Sequence, residues 1–193
     1  MNKFIGVALV VAFAGGAFAD ESTNAVSTVS DLATTNATAS VADPSVARRL
    51  ALRKKVGARV DKDVEVYGKE GVREIERLYR AYSKTREVET EDLKTLLDKY
   101  PSANRTGCAV MYAGQRAKLD GEKWFRLAIK KSSDCYYGDG VCVGAYARYC
   151  LACLCEQSGK SEEAKKLIAE IKSLYPDAVT HRGQLLAEII KDK

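Results

Sequence analysis

Residues 141–176 constrain the fold of this chain more than any other stretch. Between Val141 and Cys155 the only charged side chain is Arg148, so a helix formed here is apolar on nearly every side. Such a helix must be covered on nearly every side. The run is shorter than the roughly 20 apolar residues that a membrane span needs, and it carries a charge at its centre. We therefore expect a helix packed between other helices.

A second helix is predicted directly after a tight turn. Gly159 can adopt the left-handed conformation that ends a helix, and Ser161 can cap the N-terminus of the next helix. Apolar residues then recur at spacings of three and four until Pro176, which ends the helix. They are Ala164, Leu167, Ile168, Ile171 and Leu174. The two helices together predict a helical hairpin.

The spacing of these residues resembles the tetratricopeptide repeat, a helix-turn-helix unit of about 34 residues with small side chains where the two helices touch. The resemblance is best over residues 145–176. A second copy of the pattern lies 43 residues earlier, and a weaker copy lies 75 residues earlier. The Tyr-Pro endings at 100–101 and 175–176 are similar to repeats of exported, periplasmic members of this family. The resemblance implies a repeat core made of Cys108, Ala109, Tyr112, Phe125, Ala128, Leu151, Ala152, Cys155, Ala164, Ile168, Ile171 and Pro176.

The interval of 43 residues is longer than one repeat, and the surplus predicts a loop at 133–140 that turns at Gly138-Asp139-Gly140. Residues 181–191, beginning at His181, predict an amphipathic helix that caps the last unit. We therefore expect an all-α fold. It would be a short α-solenoid of tetratricopeptide-like hairpins at 85–193, with a C-terminal capping helix, preceded by a disordered linker.

The N-terminal segments predict export. Residues 1–19 have a basic residue, an apolar run and a small-residue ending, which is typical of a signal peptide cleaved after Ala19. The expected location is therefore periplasmic or secreted, and no other segment is predicted to span a membrane. Residues 20–44 are rich in Ser, Thr and Ala, contain no aromatic residue and predict a disordered linker.

Residues 45–84 predict a basic helical region. Arg48–Lys62 contains seven basic residues and one acidic residue. It could bind an anionic surface such as acidic lipid or polymer, or simply be a solvated helical face. Nucleic acid is not expected, because aromatic residues are missing from the segment. Apolar residues from Val60 to Tyr82 continue the helix, which could fold back onto the repeats or pair with another chain; we favour the first.

The family resemblance also implies a binding groove for a protein or peptide partner in the cell envelope, lined by residues of each first helix. Carried over to this chain, the partner-binding residues are Tyr146, Tyr149, Glu156, Gln157, Thr106 and Val110, with Cys153, Ala113 and Gly114 beside them. Tyr146 and Tyr149 could instead be packed under the N-terminal helices.

Six cysteines in an exported chain suggest disulfides. Cys135 and Cys142 flank the predicted loop and form the expected pair. The alternative function is thiol-based metal binding or redox chemistry, because Cys142, Cys150 and Cys153 would share one helical face and could hold a soft metal. The Cys150–Cys153 pair lies in mid-helix, away from the N-terminal position that activates a redox thiol. No catalytic motif is recognisable, so we expect a non-enzyme without a cofactor.

Overall fold

The computed structural model describes residues 44–190, with side chains from residue 47 onward. The predicted signal peptide and nearly all of the predicted linker lie outside these residues. In the described range the chain is mostly helical and its only β contacts are isolated bridges, which confirms the all-α prediction. The helices are α1 Pro44–Lys84, α2 Glu91–Lys99, α3 Asn104–Ala117, α4 Glu122–Lys131, α5 Val143–Gln157, α6 Ser161–Leu174 and α7 Leu186–Ile189.

The long helix α1 is broken at Gly68, whose φ of 67° and ψ of 171° are not helical. Glycine adopts positive φ without the steric cost that a Cβ brings. After the break, Ile75, Leu78 and Tyr82 are buried, and this half of α1 packs against α2 and α3. The second half of α1 therefore folds back onto its own chain.

Consecutive helices pack as hairpins. The second half of α1 pairs with α2, α3 with α4, and α5 with α6, and each hairpin also contacts the next through its first helix. Local signals fix the ends: the Thr90 hydroxyl accepts a hydrogen bond from the Leu93 amide at 3.2 Å, and Gly159 has a φ of 74° as predicted. The apolar α5 lies between α3, α4 and α6, and most of its residues are buried.

Two connections share one backbone conformation, 43 residues apart. In the first bridged turn, residues 135–143, the Tyr137 amide donates to the Val141 carbonyl at 2.9 Å and the Val143 amide to the Cys135 carbonyl at 2.9 Å. The corresponding bonds recur in the second bridged turn, residues 178–186. Each turn has one isolated bridge and one glycine of positive φ, at 140 and 183. The predicted loop at 133–140 is thus found.

The predicted capping helix over 181–191 is wrong in extent. The chain makes the second bridged turn first, because Gly183 takes a φ of 76° and the Leu186 amide donates back to the Ala178 carbonyl at 2.8 Å. Only Leu186–Ile189 remains helical. His181 consequently lies in a turn and does not begin a helix.

A buried polar cluster fastens the first half of α1 to the body. Arg59 is only 5% exposed, and its guanidinium bonds to the Asp63 carboxylate and to the Ser102 carbonyl. Asp63 also accepts from the Asn104 amide N–H at 2.8 Å. The Asn104 side chain then bonds both to the Tyr136 N–H, at 2.7 Å, and to the Tyr136 carbonyl, at 2.9 Å. The cluster therefore joins α1, the start of α3 and the first bridged turn.

Candidate functional site: an aromatic row

Six aromatic rings from five separate segments form a continuous row. Neighbouring ring centroids lie 5.0 to 6.2 Å apart, within the range in which aromatic pairs attract. We call this set the aromatic row; in order it consists of Tyr79, Tyr112, Tyr137, His181, Tyr146 and Tyr149. It crosses the faces of α1, α3 and α5 and takes one ring from each bridged turn.

The rings of the row differ in how far they are open to solvent. Tyr137 is 5% exposed, and its hydroxyl donates to the Cys108 carbonyl at 3.4 Å. The other four tyrosines are half-buried, and His181 is exposed. Tyr137 thus anchors the centre of the row in the core, while the rings on both sides of it are partly accessible to solvent.

Charged groups lie at defined points along the row. The Arg105 guanidinium lies 4.8 Å from the Tyr79 ring centroid and bonds to the Glu76 carboxylate at 2.6 Å. The Arg116 guanidinium lies 5.5 Å from the Tyr112 centroid. Cations over ring faces add an electrostatic attraction to the packing. The Tyr79 end of the row is therefore bordered by two arginines.

The middle of the row joins the two bridged turns. His181 Nδ1 lies 2.7 Å from Asp139 Oδ2, and the imidazole makes edge contacts with Tyr137 and Tyr146. Partial burial tends to raise the pKa of Asp139, but the His181 hydrogen bond and charge, with backbone N–H groups, hold that pKa below its ordinary value. The carboxylate is therefore ionised at neutral pH.

The hydroxyls of Tyr79, Tyr146 and Tyr149 stay protonated at neutral pH. Burial raises the pKa of Tyr79 and of Tyr146, and burial with the neighbouring thiols of Cys153 and Cys150 raises the pKa of Tyr149 to about 12. A neutral phenol can both donate and accept a hydrogen bond. The row therefore offers ring faces together with neutral hydroxyl groups.

The predicted partner-binding residues of α5 lie at the surface or partly so. Tyr146 and Tyr149 are half-buried with their centroids 6.2 Å apart, and Tyr146 also contacts His181. Glu156 and Gln157 are exposed at the C-terminal end of the helix. The two rings therefore contact each other, and Tyr146 also contacts the second bridged turn.

The predicted partner-binding residues of α3 are wrong. Thr106 and Val110 are each 1% exposed, and the Thr106 hydroxyl donates to the Tyr100 carbonyl at 2.7 Å. Tyr100 directly follows α2, so Thr106 faces the preceding hairpin and not a groove. Ala113 and Gly114, named beside them, are buried as well. The part of α3 that reaches the row carries Arg105 and Tyr112.

Nearly all residues of the implied repeat core are buried. Tyr112 is half-buried in the aromatic row, and Pro176 is exposed beyond the end of α6. The buried members are Cys108, Ala109, Phe125, Ala128, Leu151, Ala152, Cys155, Ala164, Ile168 and Ile171. The backbone of α3 also lies close to α4 here: a Cβ placed on Gly114 would lie 2.6 Å from the Phe125 ring.

The predicted Cys135–Cys142 disulfide is not formed. All six cysteines are free thiols. The Cys135 sulfur faces the Arg59 guanidinium at 3.8 Å and the Ala103 carbonyl at 3.9 Å, whereas the Cys142 sulfur faces the Ser133 carbonyl at 3.4 Å. The two side chains thus engage different partners, although their residues flank one turn.

The alternative metal set of Cys142, Cys150 and Cys153 does not form a metal site. Among residues 44–190, no group of three His, Cys, Asp or Glu side chains is arranged to hold an ion. Burial also raises the pKa of Cys150, which disfavours the thiolate that a soft metal or a redox reaction requires. Within the same residues, no helix is long and apolar enough to cross a membrane.

Comparison with known proteins gives no relative from which a role could be transferred. No protein-family model, curated protein sequence or solved structure matches this chain.

Proposed function

We propose that this chain is an exported, tetratricopeptide-like helical scaffold that binds an extended segment of a partner protein along the aromatic row. The proposal includes no catalytic step and no cofactor. The observation that carries it is the row itself: rings from separate helices and turns lie side by side, and all but Tyr137 are half-buried or exposed.

The order of helix contacts supports the scaffold part of the proposal. Each hairpin contacts the next both through adjacent helices and through its first helix, α1 to α3 and α3 to α5. Stacked hairpins of this kind share one continuous core and need their neighbours for stability. First helices that lie beside one another form a common surface, which is where repeat proteins of this type hold their partners.

The spacing and chemistry of the row favour an extended peptide. Centroid separations of 5.0 to 6.2 Å are close to the two-residue period of an extended chain, about 6.6 Å. Alternate side chains of such a peptide could therefore meet successive rings. Half-buried tyrosines also lose little side-chain entropy on binding, which makes them frequent anchors of protein interfaces.

The proposal is tested by peptide selection and affinity measurement. The chain from residue 20 onward is used to select binders from a random peptide library, and the affinities of selected peptides are measured by fluorescence anisotropy. We expect Tyr146→Ala with Tyr149→Ala to weaken binding about tenfold or more, the range of interface anchors. Helix content, measured by circular dichroism, is expected to be unchanged.

The matched control removes two exposed apolar side chains away from the row. Leu119 and Leu174 are among the most exposed large hydrophobic residues of the described chain. Leu119→Ala with Leu174→Ala should leave peptide affinity unchanged. Equal loss in both double variants, or selected peptides that bind the tyrosine variant as tightly as the original chain, would show that the row is not the binding surface.

A further inference from the structure

The first half of α1, residues 44–67, has cations that the body of the protein does not use. Of the basic residues in Arg48–Lys62, Arg59 is buried against Asp63, and the Lys62 ammonium lies 3.1 Å from the Asp134 carboxylate. The others form no ion pair with any residue in the described part of the chain. They are Arg48, Arg49, Arg53, Lys54 and Lys55.

The side of this helix that faces the body is fixed. Leu52 is buried, and its side chain closely approaches Gly140 of the first bridged turn. Arg59 and Asp63 follow on the same side, since residues seven and eleven positions apart share a helix face. The opposite side is consequently held toward solvent.

That outer side is a narrow apolar strip between cations. At 100° per residue, the strip opposite Leu52 and Arg59 is centred on five exposed residues, one of them basic. They are Ala47, Leu50, Ala51, Lys54 and Ala58. Arg48 and Lys55 lie along one border of the strip, and Arg49 and Arg53 lie along the other. Leu50 is 55% exposed within it.

We propose that this outer face of α1 docks in the plane of an anionic bilayer surface, with acidic phospholipid headgroups as its ligand. Helices that lie in the membrane interface place basic side chains beside an apolar residue that enters the headgroup layer, as Arg53 and Lys54 lie beside Leu50. The long Arg and Lys side chains reach the headgroups while their methylene groups stay near the helix. Acidic headgroups supply the complementary charge for the five free cations.

The exposed leucine favours a lipid surface over a soluble acidic polymer. A polymer in water could neutralise the same cations but offers no apolar layer for Leu50. A bilayer interface provides both, so that binding gains from charge and from apolar burial. The contribution of Leu50 therefore separates the two kinds of ligand.

The test is co-sedimentation of the chain from residue 20 onward with vesicles containing about 30 mol% phosphatidylglycerol in phosphatidylcholine, and with phosphatidylcholine alone. We expect binding to the anionic vesicles only, weakening as NaCl is raised from about 50 to about 500 mM. Arg53→Gln with Lys54→Gln should lower the partition coefficient about 25-fold, at about fivefold per cation. Leu50→Ser should lower it about tenfold.

A charge-matched control is Lys166→Gln with Lys172→Gln, two exposed lysines of α6. Its partition coefficient should equal that of the original chain. Equal loss in both double variants would assign binding to net charge and overturn the proposal, as would absence of binding to the anionic vesicles. Competition by soluble polyglutamate together with no effect of Leu50→Ser would overturn it in favour of a soluble acidic ligand.

Discussion

The two bridged turns have the same backbone and different surroundings. At the equivalent third position, the first turn has the buried Tyr137 and the second has the half-buried Thr180. At the positive-φ position, a Cβ on Gly140 would lie 2.8 Å from Leu52, whereas one on Gly183 would meet nothing within 4 Å. One turn is enclosed by helices of the body, and the other follows the last hairpin.

The comparison separates what sets the conformation of a turn from what sets its stability. The main-chain bonds and the positive-φ glycine are the same in both turns, so the backbone path is a local property. The buried contacts come from α1 and α3, which reach only the first turn in this way. Substitutions at equivalent positions should therefore have unequal effects.

The largest difference in stability loss between equivalent substitutions is expected at the third position of the turns. Tyr137→Ala removes a buried ring and leaves a cavity at the centre of the aromatic row, which should cost about 3–5 kcal/mol. Thr180→Ala removes a partly exposed side chain and should cost less than about 1 kcal/mol. Urea unfolding of both variants measures the difference. Similar losses would mean that the second turn is packed as tightly as the first.

The features that the sequence predicts well are those decided within a few residues. The left-handed Gly159, the apolar run of α5 and the apolar periodicity of α6 need no knowledge of distant segments. The 43-residue interval also aligns Gly183 with Gly140. That alignment indicates a second bridged turn in place of a helix starting at 181.

The features that the sequence did not predict depend on contacts between distant segments. Thr106 and Val110 are buried because neighbouring helices pack around α3, and the register of α3 alone does not reveal that cover. The charge pattern places Arg59 among the solvated cations, although in the structure it is buried and bonds to Asp63 and Ser102. The aromatic row likewise draws on two turns, and the family resemblance implies only Tyr146 and Tyr149 of its rings as partner-binding residues.

The next largest difference in stability loss is expected between the two glycines of positive φ, Gly140 and Gly183. Gly140→Ala introduces both left-handed strain and a contact with Leu52 that forces a shift, and should cost about 2–4 kcal/mol. Gly183→Ala introduces strain alone and should cost about 1 kcal/mol. Thermal and urea unfolding compare the two variants. Equal costs would show that Leu52 moves aside freely and does not hold the first turn against α1.

A smaller effect is expected from the side chain that ties only the first turn to α3. Asn104→Ala removes two hydrogen bonds to the Tyr136 main chain and leaves buried polar atoms unpaired, at an expected cost of about 2–3 kcal/mol. Amide hydrogen exchange should increase at residues 135–143 and stay unchanged at 178–186. The control is Thr95→Ala, which removes a surface hydroxyl bond on α2 and should change stability by less than about 0.5 kcal/mol. Faster exchange in both turns would contradict a role confined to the first.

The smallest expected effect concerns the hydrogen bond that joins the two turns. Because the pKa of Asp139 is lowered in the folded chain, its stabilising contribution is complete above the ordinary value of 3.8 and is lost as pH falls through the folded value. Asp139→Asn should therefore cost less than about 1 kcal/mol near pH 6, and the gap from the original chain should close below about pH 4. Urea unfolding across this pH range measures the gap.

The residue of the second turn that corresponds to Asp139 is Arg182. Only the first turn therefore has a carboxylate at this position that bonds to the other turn. Asp177→Asn serves as the control, because Asp177 is an exposed carboxylate close to the second turn. A double variant of Asp139→Asn with His181→Gln should lose no more stability near pH 6 than the larger of the two single losses, since both remove the same bond. Additive losses, or a gap that stays constant down to about pH 3, would show that the two turns are stabilised independently and that the centre of the aromatic row is held by ring packing alone.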